Sequence, residues 1–223
     1  IPNDVLTLAA EKFARDADKF VLIGNDVLDT GQGEEVLNAL LNLCTLVNFG
    51  NKGSISIYPP REHCNSQGVN DMGLTPEFLP GYQPSSGDKN SDLFESCKDG
   101  STKFLYIAGE DPIGSFYRPQ LVKEALKTVP FLIVTDVFMT ETARMADLIL
   151  PSSTYAEKDG TFTNMSRHVQ GVASAVLPQG TSKPDFDILI ELAETLGKPF
   201  EHSTVFEIQQ EIEQAAPIYQ GMF

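Results

Sequence analysis

Apolar residues recur at helical spacing over residues 4–17 (Val5, Leu8, Ala9, Phe13), which predicts an amphipathic helix. The short unbroken apolar run Phe20-Val21-Leu22-Ile23 reads as a buried strand that ends in Gly24-Asn25-Asp26. A second helix is predicted over 33–47, with Val36, Leu37, Leu40, Leu41 and Leu43 on or near its buried face. From Phe49 to about Gly100 the periodicity lapses. Gly, Pro, Ser, Asn and Asp dominate there, and only Ile55 to Tyr58 looks like a strand. Such a long connection is functional or disordered rather than a plain linker. Its first part, Arg61 to Gly73, is dense in hydrogen-bonding side chains, whereas Pro84 to Gly100 reads as a solvated surface loop.

Regular structure then resumes. A strand is predicted over 103–108, a helix over 119–128 and a strand over 131–134 ending at Thr135-Asp136. A short helix at 140–146, a strand at 147–150 stopped by Pro151, and helices at 186–196 and 205–215 follow. Residues 103–135 form a β-α-β unit, for which right-handed parallel pairing is expected. The fold class is therefore α/β, a three-layer helix–sheet–helix arrangement built from mostly parallel, Rossmann-like sheet units. The expected division is 1–58 as half of a nucleotide-binding α/β domain, 59–102 as a cofactor-facing loop followed by a surface loop, and 103–223 as part of a second dinucleotide-binding α/β domain.

In open parallel sheets ligands sit outside the carboxyl ends of the strands. Asp111 and Asp136 fall at two such ends, and carboxylate acceptors suit a guanine N–H edge or a ribose diol. Local capping accounts for Asp136 and Thr140 equally well, since Asp and Thr are common cap residues. Gly24 stands in a strand-to-helix turn, but no G-x-G-x-x-G fingerprint accompanies it.

The 223 residues carry 31 acidic and 16 basic side chains, a formal net charge of −15. That balance argues against nucleic-acid binding, which needs dense Lys and Arg. No apolar run reaches the ~18–20 residues that would span a bilayer, and the N-terminus shows no signal-peptide pattern. A start at Ile1 rather than Met suggests an excised or processed segment. Cys44, Cys64 and Cys97 form no C-x-x-C pair, so neither a disulfide framework nor an iron–sulfur cluster is expected within this segment. Cys44 reads as a small core hydrophobe, and His63, His168 and His202 lack zinc-ligand spacing.

Four segments, in order, carry a resemblance. They are Cys64-Asn65-Ser66-Gln67-Gly68-Val69-Asn70-Asp71-Met72-Gly73 with Pro80-Gly81-Tyr82; Gly109-Glu110-Asp111-Pro112; residues 136–170, from D-x-F-x-T-x-T through E-K-D-G-T-F-T-N to R-x-x-Q; and Asp185-Phe186-Asp187-Ile188 with Leu196-Gly197. Together they resemble the molybdopterin oxidoreductase family, above all the formate dehydrogenase large subunits and the iron–sulfur large subunit of complex I.

The resemblance implies an internal fragment of a multidomain oxidoreductase whose cofactor is a molybdopterin guanine dinucleotide holding Mo or W. It implies cofactor contacts at Gly109, Glu110, Asp111, Asp136, Thr140 and Thr142 for one dinucleotide tail, and at Gly24 and Asn25 for the other. Asn65, Gln67, Asn164 and Arg167 join the cofactor-binding set, no metal ligand falls in this segment, and Arg61 is the residue that would orient formate. Implied partners are the remaining domains of the same polypeptide and iron–sulfur or NADH-dehydrogenase-type electron-transfer subunits. The implied setting is cytoplasmic or peripheral to a membrane complex, and the isolated segment is expected to be inactive. Glu62-His63-Cys64 stands where formate dehydrogenases commonly carry Gly-Gln-Asn. That wording is nearer a cofactor-free structural subunit of a complex I-like NADH dehydrogenase (an NADH:quinone oxidoreductase G-type subunit), which is the alternative.

Overall fold

The computed structural model describes the chain apart from Asp16, residues 29–31, 49–52, 61–62 and 87–91, and Phe223. It divides into two compact units: Ile1–Gly68 with Thr163–His168, and Val69–Phe162 with Val169–Phe223. Among the described residues no helix is long and apolar enough to cross a membrane.

The first unit runs α1 (Asn3–Phe13), β1 (Lys19–Leu22), the short α2 (Asn25–Leu28), α3 (Gly33–Asn48) and β2 (Ile55–Tyr58). Strands β1 and β2 pair in parallel, with Lys19 opposite Ile55 and Leu22 opposite Tyr58. Helices α2 and α3 form the crossover that a parallel pair requires. Asp18 fixes the register at the strand starts by accepting from both the N–H and the hydroxyl of Ser54, each at 2.8 Å. On α3 the covered positions are Leu37, Leu40, Cys44 and Val47, one stripe at three- to four-residue spacing. Val36, Leu41 and Leu43, expected near the buried face, are instead 43–47% exposed. This helix carries apolar residues on more than one stripe, so periodicity alone does not say which stripe turns inward.

Helix α4 (Ser66–Asp71) spans the division between the units. The second unit continues with β3 (Phe78–Leu79) and β4 (Gln83–Pro84), an antiparallel pair around the turn Pro80–Tyr82. Then come α5 (Leu93–Lys98), β5 (Leu105–Ala108), α6 (Pro112–Ser115), α7 (Pro119–Leu126), β6 (Leu132–Asp136) and β7 (Leu148–Pro151). Strands β8 (Gly160–Thr163) and β9 (Val169–Val172) pair with each other, and α8 (Asp185–Thr195) and α9 (Val205–Ala215) close the chain.

Strands β5, β6 and β7 form a parallel sheet in that order, with Ala108 opposite Thr135 and Asp136 opposite Pro151. Leu132 to Thr135 are all buried, as the central strand of a parallel sheet demands. Ile113, Val122, Leu126, Leu132, Val134 and Ala143 pack into one core cluster. The expected parallel β-α-β unit is thus present.

The region expected to be a surface loop, Pro84 to Gly100, contains α5. Asp92 caps it by accepting from the N–H groups of Phe94 (2.9 Å) and Glu95 (3.3 Å), and Cys97 is fully buried against Ala125 and Val129. Six residues supply too few inward positions for a period to show. The helix expected at 140–146 is a single 3-10 turn, Ala143–Met145.

Leu132 fills the core beneath the strand ends and is 1% exposed. Leu132→Ala should cost about 2–5 kcal/mol, read as a lower thermal midpoint. An unchanged midpoint would mean that this cluster does not hold the sheet.

Candidate functional site

In the second unit the turns after β5 and β6 meet at one sheet edge. Gly109 follows β5 with φ +64, and a side chain there would project into open space, with no atom within 4 Å. Its N–H donates to Thr135 O at 2.7 Å. Glu110 is exposed and accepts from the Ser115 hydroxyl at 2.6 Å.

Asp111 reaches the opposite turn. Its Oδ1 accepts from both the N–H (3.1 Å) and the hydroxyl of Thr142. That fully buried hydroxyl in turn accepts from Ile113 N–H at 3.2 Å. Burial works against the ionised form of Asp111. The donors on Thr142, Gly114 and Glu141 outweigh it and hold the pKa below the ordinary aspartate value.

Asp136 ends β6 half-buried. Its Oδ1 accepts from Phe138 N–H at 3.1 Å, and among the described residues no donor approaches its second oxygen. Thr140 Oγ1 accepts from Ala143 N–H at 3.1 Å. The local capping role is therefore real for both residues, and at Asp136 it engages one carboxylate oxygen. Ser153, 1% exposed just past β7, buries a hydroxyl that has no partner among the described residues.

Several of the remaining expected residues gather in the first unit. Asn65 Oδ1 accepts from Thr163 N–H at 2.9 Å. A Cβ on Gly68 would fall 2.4 Å from that same oxygen, so a larger residue there would push the Asn65 amide aside. Gln67 is buried. Asn164 Oδ1 accepts from the N–H groups of Ser166 (2.9 Å) and His168 (3.0 Å), shaping a turn in which Arg167 takes φ +58 and stays exposed. Gly24 follows β1 with open space at its Cβ position, and Asn25 opens α2. Arg61 lies outside the described residues.

Chemically, the second-unit edge offers acceptors: Glu110 and Asp136 bear carboxylates beside an open glycine. Such a set matches the N–H edge of a purine or the hydroxyls of a ribose better than it matches phosphate.

A model of the molybdopterin oxidoreductase family matches residues 5–195. The chain belongs to the molybdopterin oxidoreductase family. Among similar proteins, the F420-dependent formate dehydrogenase subunit alpha of Methanocaldococcus jannaschii is 40% identical over 212 residues, covering 85% of this chain and 31% of its own length. A Staphylococcus haemolyticus protein with a formate dehydrogenase name is 33% identical over 242 aligned positions, covering all of this chain and 25% of its own length. Acetylene hydratase from Pelobacter acetylenicus shares 21% identity and a TM-score of 0.45 over 60% of this chain and 20% of its own. The chain thus spans about a quarter to a third of the curated relatives it matches.

Sequence reasoning missed a polar set behind this edge: Ser152, Lys158 and Asp185. Lys158 and Asp185 both stand in motif segments, and their opposite charges were the available signal. Their separation of 27 positions hid the pairing.

The Asp111 contact generates a pH dependence. A depressed folded pKa contributes stability that is complete above the unfolded value and is lost as pH falls through the folded one. Thermal midpoints measured downward from about pH 5 should therefore drop less steeply below about pH 4 in Asp111→Asn than in the parent. Parallel curves would show that Asp111 contributes nothing through its charge.

Proposed function

We propose that the full-length protein is a molybdopterin-dependent formate dehydrogenase, and that this chain supplies two half-sites for its cofactor, a molybdopterin guanine dinucleotide with Mo or W. The observation that carries the reading is the acidic strand end, where Asp136 keeps one oxygen without a donor among the described residues, Glu110 is exposed, and Gly109 has open space at its Cβ position. The orphaned Ser153 hydroxyl at the same edge fits a site shaped for a polar ligand. The formate dehydrogenase names of the relatives supply the substrate.

When bound, the cofactor supplies the two-electron oxidation in which formate yields carbon dioxide, one proton and two electrons. The residues of this chain bind and orient. Asp136 and Glu110 accept from the guanine edge or the ribose hydroxyls, with Gly109 leaving the space for close approach and Thr140 and Thr142 holding the turn. Gly24 and Asn25 line the second tail. Within the first unit, Asn65, Gln67, Asn164 and Arg167 are assigned to the pterin. Arg61 clamps formate through a bidentate guanidinium–carboxylate pair, a geometry that one ammonium does not reproduce. Electrons leave through iron–sulfur clusters carried elsewhere in the polypeptide or on partner subunits, so the isolated segment does not turn over. The assembly works in the cytoplasm or at the periphery of a membrane complex.

The test uses full-length protein from a host able to make the cofactor. Elemental analysis should find about one Mo or W per chain, and acid hydrolysis about two GMP. Asp136→Ala should lower the GMP content while leaving the fold unchanged; full GMP retention would defeat the assignment. Arg61→Lys should lower kcat/KM for formate roughly 10- to 100-fold, the loss of one charge-assisted hydrogen bond. Normal turnover would remove Arg61 from the substrate site.

A further inference from the structure

The turn that presents Asp136 is itself held from behind. Ser152 directly follows Pro151, the residue opposite Asp136 in the β6–β7 register. Its N–H donates to Asp136 O at 3.0 Å. Its hydroxyl, on a residue 6% exposed, donates to Asp185 Oδ1 at 2.7 Å. The second oxygen of Asp185 pairs with the Lys158 ammonium.

Asp185 is brought there by backbone pairing. Lys183 N–H donates to Pro151 O (3.1 Å), and Ser153 N–H donates to Lys183 O (2.9 Å). Residues 151–153 are thereby tied to the segment that begins α8. We infer that Asp185 and Lys158 are positioning residues for the nucleotide contact of Asp136, acting through Ser152. The inference rests on the reading of Asp136 given above.

Magnitudes favour positioning over plain stability. The Lys158 and Asp185 side chains are about a third exposed (32% and 34%), and ion pairs so placed contribute only about 0–1 kcal/mol. What the pair fixes is geometric. With its charge matched by Lys158, the Asp185 carboxylate keeps one oxygen aimed at Ser152. Ser152 in turn donates its N–H to the Asp136 carbonyl and so steadies the backbone from which that carboxylate projects. In metal sites, supporting groups that orient a ligating side chain change affinity by about 10- to 100-fold, and the lower end of that range is taken here.

The experiment is GMP retention by the cofactor-loaded, full-length enzyme, with the thermal midpoint of the cofactor-stripped protein measured alongside. Lys158→Met and Asp185→Asn should release bound GMP-containing cofactor about tenfold faster than the parent. Lys158→Arg should restore parental release, and the stripped-protein midpoint should not move in Lys158→Met. Ser152→Ala, which leaves the ion pair intact, gives the same readout should Asp185→Asn fail to fold.

Parental release in Lys158→Met and Ser152→Ala overturns the inference, provided that Asp136→Ala loses GMP. A lowered stripped-protein midpoint with no rescue by Lys158→Arg overturns it too, because the pair would then be merely structural. If Asp136→Ala itself keeps its GMP, the reading of the site fails first and takes the inference with it.

Discussion

The hydrogen bonds between Asp111 and Thr142 join the turns that follow β5 and β6, adding to the Gly109–Thr135 bond and the packing of Ile113 with Ala143. Thr142 is fully buried and works in both directions, donating to Asp111 and accepting from Ile113 N–H. A hydrogen bond to a charged group contributes about 1.5–3 kcal/mol, and a buried partner left alone costs a comparable amount. Loss of either side chain therefore loosens the tie between the turns that follow Gly109 and Asp136. The carboxylate of the G-E-D-P turn is thus largely engaged inside the protein. Glu110 is left exposed, and Asp136 keeps one oxygen without a donor among the described residues.

Parallel pairing is the second constraint. Parallel strands are normally covered on both faces, and the three-stranded sheet of the second unit meets this at β6, where four consecutive residues are buried. In the first unit, β1 leaves Phe20 and Leu22 about 70% exposed. Exposed apolar side chains on a parallel strand accord with a chain that spans a quarter to a third of its relatives' length.

Strands were legible where unbroken apolar runs stop at a polar residue or a proline, as at Thr135-Asp136 and Pro151. Long helices were legible too, because α3 and α7 supply enough turns for a period to emerge. What the sequence hid was short or distant. Helix α5 offers Phe94 and Cys97 as inward positions and nothing repeats. The inward stripe of α3 depends on which apolar side meets a neighbour, information held in tertiary contacts rather than spacing. Within the site, Asp111, Asp136 and Thr142 could be placed at strand ends by their motifs. The relay from Lys158 through Asp185 to Ser152 joins residues 27 and 33 positions apart, and no local pattern encodes such a separation.

Capping and ligand binding, which read as rivals along the chain, are compatible at Asp136. A carboxylate has two oxygens, and engaging one with Phe138 N–H restricts the side chain to orientations that aim the other away from its own turn. The local bond thus removes rotamer freedom that a ligand would otherwise have to restrict on binding, which is how preorganisation raises affinity. An Asn at this position could still accept from Phe138, but its outward group would be an amide donor, mismatched to a guanine N–H edge. A Glu would place its outward oxygen on a longer, freer stem. On the proposed reading, Asp suits both tasks together, with the turn setting the length of the side chain and the ligand its charge.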